Sequence, residues 1–139
     1  MVDGNRNRTA YVVDAWGRIT EIEKPDRNGV ITEYAYNLYG APLYRREKGS
    51  PLGDTYAYTP EGLLKSAISG GMRYSYTYDA MGRLKEKSTS GRRLLALDYD
   101  RNGNLARQID VTGKVTEYRY NLLDQLTEVW SMPMMRIKI

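Results

Sequence analysis

A short tyrosine-containing motif returns six times along the chain and constrains its fold more than any other feature. Each copy has one or two tyrosines, then Asp, Asn or Thr, two variable residues and usually Gly. The Asp, Asn or Thr markers stand at positions 14, 37, 59, 79, 100 and 121, so the copies follow one another at spacings of 20 to 23 residues. A period this regular predicts one supersecondary unit copied along the chain. The motif residues are Tyr11, Asp14, Gly17, Tyr34, Tyr36, Asn37, Gly40, Tyr56, Tyr58, Gly62, Tyr76, Tyr78, Asp79, Gly82, Tyr99, Asp100, Gly103, Tyr118, Tyr120 and Asn121.

Each position of the motif has a physical reason. In Tyr-x-Tyr both rings lie on the same face of a strand, because successive side chains alternate between faces. A short polar residue followed three positions later by Gly favours a type I turn that ends in a left-handed residue, as in a three-residue hairpin loop with a bulge. Pro60 suits the second turn position because its φ angle is fixed. Asp124 replaces the Gly of the other copies, and Asp is one of the residues that can adopt positive φ.

A return strand and a second connection complete each unit. Strands of about five to six residues, a turn and a loop together account for the period, so the sequence predicts an all-β antiparallel meander of about twelve short strands. The second copy reads Gly40-Ala-Pro-Leu43 where the pattern expects Gly-x-Leu, which indicates an inserted residue and either a local shift in register or a bulge. The second connections are marked by Gly29, Gly49, Gly53, Gly70, Gly71, Gly91 and Gly113.

The unit Tyr-x-Tyr-Asp-x-x-Gly-Arg-Leu, complete from Tyr76 to Leu84, resembles the YD repeat of the Rhs family. The same repeat occurs in teneurins and in the shell-forming subunits of insecticidal toxin complexes. The resemblance covers residues 9 to 129 and implies an array of β-hairpins wound into a curved or spiral sheet, as a segment of a β-shell. In bacterial members the shell encloses a C-terminal toxin, so the resemblance implies toxin cargo and a secreted or cell-surface location.

The repeat divides the chain into three parts. Residues 1–8 are a polar lead-in, residues 9–130 form the hairpin array, and residues 131–139 are a tail that departs from the repeat. A truncated gene, a frameshift or a cloned segment would produce such a tail, and so would a terminal strand, because terminal repeats are commonly atypical. The conserved core end and variable effector domain that follow the repeats in bacterial family members are not recognisable in the tail.

Composition argues against catalysis and against nucleic-acid binding. The chain has no His and no Cys, which excludes a Ser-His triad, a cysteine nucleophile and the usual zinc sites. The net charge is +4, but Lys and Arg are interleaved with Glu along the return strands, as expected of a solvated sheet face. Since Phe is absent, the thirteen Tyr and two Trp must supply the aromatic core. We therefore expect a non-enzymatic protein without a cofactor.

Two local motifs match the patterns of a ligand site and a modification site, but the repeat or chance explains them more simply. Residues 98–103 read Asp-Tyr-Asp-Arg-Asn-Gly, the first half of a calcium loop, but Ile109 stands where the closing Glu should be. The repeat accounts for Asp100 and Gly103 as turn residues without a metal. Residues 7–9, Asn-Arg-Thr, fit a glycosylation acceptor, a pattern that chance often produces. No signal segment and no apolar run of spanning length is present, so no membrane insertion is expected.

Three functional classes stay open at this point. The first is a structural segment of a shell, whose partners are neighbouring repeats of a larger parent or further copies joined through sheet edges. The second is a repeat module that binds carbohydrate or a cell surface through exposed tyrosines. The third is an orphan remnant without present activity.

Overall fold

The structure is a computed structural model, and it describes residues 8–24, 29–132 and 135–138. Thirteen β-strands, joined by turns and loops, run through these residues, and none of the described residues forms a helix long and apolar enough to cross a membrane. The predicted all-β array of antiparallel hairpins is confirmed. The strands are β1 (Ala10–Val13), β2 (Ile19–Lys24), β3 (Val30–Tyr36), β4 (Pro42–Glu47), β5 (Gly53–Tyr58), β6 (Leu64–Ser69), β7 (Met72–Tyr78), β8 (Leu84–Thr89), β9 (Arg92–Tyr99), β10 (Leu105–Ile109), β11 (Val115–Tyr120), β12 (Leu126–Met132) and β13 (Met135–Lys138).

The chain divides into two compact units, residues 1–73 and 74–139. The first unit contains β1 to β6, and each strand pairs antiparallel with the next in chain order. The second unit contains most of β7 and all of β8 to β13, again paired antiparallel in chain order. Each unit is therefore a meander in which successive strands of the chain lie side by side.

The six repeat turns join the strands of the six hairpins, and we number them turn 1 to turn 6. Turns 1 to 3 span residues 14–18, 37–41 and 59–63 in the first unit, and turns 4 to 6 span residues 79–83, 100–104 and 121–125 in the second. Because the strands of a meander alternate in direction, the turns of one unit all lie at the same end of its strands. We call this end of each unit its turn edge.

Every repeat hairpin carries a bulge at the same place. In the third hairpin Tyr58 pairs with Leu64 and Ala57 pairs with Ser66, so that Lys65 is left between the two pairs. The same shift occurs in the other five hairpins, one residue after the position of the repeat's Leu or Ile. An extra residue of this kind bends a strand and increases its local twist.

The insertion predicted in the second copy is wrong. Pro42 pairs with Tyr36 in the way that Leu64 pairs with Tyr58, so Pro42 occupies the position of the repeat's Leu and no residue is added. Leu43 is the bulged residue of this hairpin, at the position where all six hairpins have their bulge. Proline fits here because its ring fixes φ at the first residue of a strand, where a missing donor costs no ladder bond.

The tail contributes one strand more than the roughly twelve strands that the sequence predicts. Strand β12 continues to Met132, across the boundary expected at residue 130, and β13 pairs with it from Ser131↔Met135 to Glu128↔Lys138. The described part of the tail beyond Met132 forms a strand, Met135–Lys138. The lead-in lies outside the described residues except for Arg8.

Burial is shallow throughout the described residues. Ala67 is the one buried hydrophobic residue among them, with 7% of its surface exposed, and none of their side chains is fully enclosed. Eleven tyrosines are half-buried, whereas Tyr11 and Tyr39 are exposed. The expectation that tyrosine and tryptophan form the core is therefore only partly met, because the rings line a thin sheet and do not meet across a sealed interior.

Candidate functional site: the turn edge

Turn 1 shows how the repeat residues close the hairpin. The carboxylate Oδ1 of Asp14 accepts hydrogen bonds from the backbone N–H groups of Trp16 at 2.9 Å and Arg18 at 3.0 Å. The N–H of Gly17 donates to the Asp14 carbonyl at 3.0 Å, and Gly17 has φ of 78°. A residue with a side chain would be strained at this φ, so the motif needs Gly here.

Turns 2, 4, 5 and 6 repeat this pattern around the side chains of Asn37, Asp79, Asp100 and Asn121, each of which accepts two backbone N–H groups. In turn 3 the hydroxyl of Thr59 accepts the Leu63 N–H at 3.2 Å. The same chemistry recurs at a place the repeat pattern did not include. Asp110 accepts the N–H groups of Thr112 and Lys114, and Gly113 has φ of 85°. The Asp-x-x-Gly spacing from 110 to 113 was the signal that could have found this turn.

Arginine after the turn glycine links neighbouring turns. The Arg18 guanidinium bonds the Asp14 carboxylate at 2.6 Å, donates to the Asn37 carbonyl at 3.1 Å and lies 4.9 Å from the centre of the Tyr36 ring. In the second unit Arg83 bonds Asp79 at 2.7 Å and lies 4.4 Å from the centre of the Tyr99 ring. Each arginine therefore joins its own turn to the tyrosine of the next repeat through an ion pair and a cation–π contact.

The second tyrosine of a repeat bonds to the preceding hairpin. The hydroxyl of Tyr36 donates to the carbonyl of Ile19 at 2.9 Å, although the ladder between β2 and β3 begins only at Glu21. A carbonyl beyond the end of a ladder needs another donor, and the tyrosine supplies it. The same bond recurs from Tyr58 to Pro42 at 2.7 Å, from Tyr99 to Leu84 at 2.9 Å and from Tyr120 to Leu105 at 2.8 Å.

Asp124 explains how the sixth copy does without a turn glycine. It has φ of 57°, as predicted for Asp at this position. Its Oδ1 accepts hydrogen bonds from the side-chain amides of Asn102 at 2.9 Å and Asn104 at 2.8 Å, both in turn 5. These bonds between turns offset the strain of a non-glycine residue at positive φ.

Hydrogen bonds donated to four turn carboxylates lower their pKa values. At Asp79 the backbone N–H of Arg83 and the Arg83 guanidinium lower the pKa below its ordinary value of 3.8. At Asp14 and Asp100 partial burial opposes ionisation, but the donated N–H groups outweigh it and the pKa of each is lowered. At Asp110 the Thr112 hydroxyl is the main cause of a lowered pKa.

The first tyrosines of the repeats have a different environment from the second. Tyr76 shares the Lys87 ammonium with Tyr74, at 5.6 and 5.0 Å from the ring centres. Tyr34, Tyr56 and Tyr118 are half-buried in their strands, and Tyr11 is 49% exposed in β1. The structure therefore brings the second tyrosines, the turn acids and the glycines together at the turn edges, and leaves the first tyrosines on the strands.

The polar side chains of the turn edge form hydrogen bonds with backbone groups, and the edge offers few groups for catalysis or metal binding. Within the described ranges, no three acidic residues are grouped as a metal site would require. In the half-loop that resembles a calcium site, Asp100 accepts backbone N–H groups and Asp98 faces Arg107 at 3.7 Å. The turn therefore occupies the oxygens that the loop would offer. The glycosylation pattern begins at Asn7, outside the described residues.

A cleft of about 680 Å³ lies on the first unit, away from its turn edge. The loop between β4 and β5 lines the cleft, together with Arg45 and Arg46. Both guanidiniums are paired, Arg45 with Asp54 at 3.5 Å and Arg46 with Glu33 at 3.2 Å. The cleft is thus electrically balanced and shows no preference for an ion of either sign.

Comparison with known proteins agrees with this architecture. A family model described as RHS Repeat matches residues 99–129, which include turns 5 and 6. Mouse Teneurin-4 is 40% identical over 119 residues, covering 84% of this chain and 4% of Teneurin-4. The crystal structure of TcdB2-TccC3 superposes with a TM-score of 0.72 at 15% identity, covering 95% of this chain and 8% of that one. The Photorhabdus luminescens Tc holotoxin pore with the TccC3-D651A mutation superposes with a TM-score of 0.69 at 14% identity, with the same coverage.

The solved structures and the sequence matches support different statements about this chain. The two solved structures show the fold alone, since their identity to this chain is low. The chain spans only a small share of the length of each protein that it resembles. The family match and the Teneurin-4 identity concern the sequence, and the six turns show that the matched unit extends through the described array. The chain carries the repeat of the YD-repeat, or Rhs-repeat, family at residues 99–129 and is similar in sequence to Teneurin-4.

Proposed function

We propose that this chain is a non-enzymatic structural segment of a larger YD-repeat shell, and that in the parent protein the shell encloses a C-terminal toxin. The role assigned to the motif residues is structural: the tyrosines, turn acids and glycines build a wall and perform no chemistry. By the same proposal the chain acts in a secreted or cell-surface protein of a bacterial polymorphic-toxin system, with neighbouring repeats as its main partners.

The observation that carries this proposal is the direction of the repeat contacts. The hydroxyls of Tyr36, Tyr58, Tyr99 and Tyr120 each reach back to the preceding hairpin. The first, second, fourth and fifth hairpins are thus each completed by the hairpin that follows. Stability in such an array comes from the intrinsic stability of each hairpin plus the interfaces between neighbours. A structure of this kind extends by adding units, which is what a wall requires.

Shallow burial supports the same proposal. A sheet is stable in water when its apolar face packs against another layer or is otherwise covered. Within the described part of the chain, Ala67 alone is a buried hydrophobic residue. The half-buried tyrosine face therefore favours a larger assembly in which further repeats or enclosed protein cover one side.

Sequencing the DNA on both sides of the coding region tests whether the chain is part of a larger repeat protein. We expect further repeats upstream, with a variable domain and a small neighbouring gene downstream. A clean start and stop with no repeats on either side would contradict the shell proposal.

A protease experiment on the parent polypeptide then tests enclosure. A domain that follows the repeats should resist proteinase K in the native protein and be degraded after mild denaturation that opens the shell. The same domain expressed alone is the matched control and should be degraded at once. Equal sensitivity in both forms would contradict enclosure.

Exposed aromatic rings favour a second candidate, a module that binds carbohydrate or a cell surface. Trp16 is 75% exposed in turn 1 and Tyr39 is 91% exposed in turn 2, and the two turns are joined by Arg18. Flat rings held in this way can stack on sugar rings. Titration with a panel of polysaccharides, followed by tryptophan fluorescence, should give a saturable change that Tyr39→Ser abolishes and Leu52→Ser preserves. No change across the panel would contradict the module.

A further inference from the structure

Strands that follow a repeat hairpin pair with it in one fixed register. The residue two positions after the repeat's Leu, Ile or Pro pairs with the residue three positions before the second tyrosine of the next repeat. The pairs of this kind are Glu21↔Glu33 and Tyr44↔Thr55 in the first unit, and Glu86↔Ala96 and Arg107↔Glu117 in the second. Because a shift of one residue would turn every side chain to the other face, this register defines the contact between repeats.

Strand β13 has the same register, although the sequence of the tail departs from the repeat. Leu126 holds the Leu position of the sixth hairpin, and Glu128, two positions later, pairs with Lys138. Strand β13 therefore occupies the place of the first strand of a seventh hairpin. In this register the second tyrosine of a seventh hairpin belongs three positions after Lys138.

The sixth hairpin offers an acceptor for this tyrosine. In four hairpins the carbonyl at the repeat's Leu, Ile or Pro position accepts the hydroxyl of the next repeat's second tyrosine; these carbonyls belong to Ile19, Pro42, Leu84 and Leu105. Leu126 holds the same position, and the ladder between β12 and β13 begins only at Glu128. The sequence has no tyrosine after Tyr120, so no later strand of this chain supplies such a donor. The Leu126 carbonyl is therefore an acceptor that a further hairpin would satisfy.

The outer edge of β13 also suits a further strand. Of the described strands, β12 alone pairs with β13, so the other edge presents backbone N–H and C=O groups. Ile137 in β13 is 55% exposed. Leu95 holds the equivalent position of β9, opposite Lys87, and is half-buried in a strand that has β10 beside it. A strand beside β13 would cover Ile137 in the same way.

We propose that the β12–β13 end of the second unit docks a seventh tyrosine hairpin, formed by a segment that continues β13, and this rests on the proposed role as one segment of a repeat array. The tyrosine hydroxyl bonds the Leu126 carbonyl, and the return strand pairs with the free edge of β13. A second copy of this chain does not fit the site. Its edge strand β1 has Val13 at the position of the second tyrosine, and valine has no hydroxyl to donate.

An extended chain tests the docking site. Residues 119–132 are repeated directly after Ile139, which brings the added copy of Tyr120 to the position that the register requires. The matched control carries the same added residues in scrambled order. Hydrogen exchange should show the backbone N–H groups of β13 protected at least about tenfold more in the extended chain than in the control or the original. Replacing the added copy of Tyr120 by Phe should lower that protection about two- to tenfold, because the ring stays and the hydroxyl bond is lost.

Equal exchange in the extended and scrambled chains would overturn the proposal. Protection that the Phe variant leaves unchanged would overturn the role of the Leu126 carbonyl. Circular dichroism melting curves check that the original hairpins stay folded in every variant. Because each added segment is supplied by design, the outcome does not depend on the DNA that flanks the coding region. Failure of docking is thus distinguished from failure of the shell proposal, which the flanking DNA decides.

Discussion

Single side chains at the turn edges connect one repeat to the next. The second tyrosine illustrates the principle, because its ring packs on the sheet while its hydroxyl bonds a carbonyl that the strand ladder leaves without a partner. Arginine at the position after the turn glycine has a similar double role, with an ion pair inside its own turn and a ring contact in the next repeat. The motif therefore codes for stacking between repeats as well as for the turn itself.

Replacing Tyr120 by Phe tests the hydroxyl bond. The ring is retained, but the bond from Tyr120 to the Leu105 carbonyl is lost. We expect the free energy of unfolding in urea to fall by about 0.5 to 1.5 kcal/mol. Tyr118→Phe, in the same strand, is the matched control and should change stability by less than about 0.5 kcal/mol. Equal effects of the two variants would show that the hydroxyl bond contributes nothing specific.

At the scale of the hairpin, glycines have two separate functions. The turn glycines supply positive φ, as Gly82 does at 77°. Gly53 in β5 is different, because a Cβ atom there would lie 2.5 Å from the Cβ of Arg46 and 2.6 Å from the Arg45 carbonyl oxygen. The first function follows from the Asp-x-x-Gly spacing, and the second depends on how closely β4 and β5 approach each other.

Gly82→Val tests the turn assignment. Valine is branched at Cβ and is strained at positive φ, so turn 4 should lose about 1 to 3 kcal/mol of stability. Ala80→Val, at an exposed position of the same turn, is the control for adding valine. A melting curve of Gly82→Val that coincides with the original would count against the turn.

Gly53→Ala tests the close approach. The added methyl group must displace the backbone of β4, and we expect a loss of about 1 to 3 kcal/mol in the free energy of unfolding. Leu52→Ala changes the neighbouring residue, which is 76% exposed, and should be nearly neutral. The contact is unimportant if both variants unfold at the same urea concentration.

At the scale of the whole molecule, the described residues share many similar small contacts, and no enclosed core is found among them. Turn acids are the clearest example, since Asp14, Asp79, Asp100 and Asp110 all have pKa values lowered by donated hydrogen bonds. A carboxylate whose pKa is lower in the folded state stabilises the fold above its unfolded pKa. That contribution disappears as the pH falls through the folded value.

The lowered pKa values of the turn acids predict how the free energy of unfolding depends on pH. We expect the free energy of unfolding to be steady above about pH 5 and to decline as the pH falls below 3.8, when the turn acids become protonated. Urea unfolding between about pH 6 and about pH 2 measures this. The double variant D14N/D79N cannot lose these two charges, so its curve should be flatter than the original. Parallel curves would show that the turn acids do not control acid stability.

A feature could be predicted from the sequence when the residues that produce it lie close together along the chain. The turns and their glycines were predictable because Asp79 and Gly82 lie within one turn and interact through the backbone between them. The positive φ of Asp124 was predictable for the same reason. The turn at Asp110 obeys this local chemistry too, but it lies outside the period of the repeat.

Contacts between repeats could not be derived in this way. The bond from Tyr36 to Ile19, the reach of Arg18 to Asn37 and the amide bonds to Asp124 depend on which residues of successive hairpins face each other. The bulge that all six hairpins share shifts that pairing by one residue and also explains why Pro42 needs no insertion. Local chain chemistry therefore defines each hairpin, whereas the register of paired strands decides how one hairpin is joined to the next, because register sets which distant residues meet.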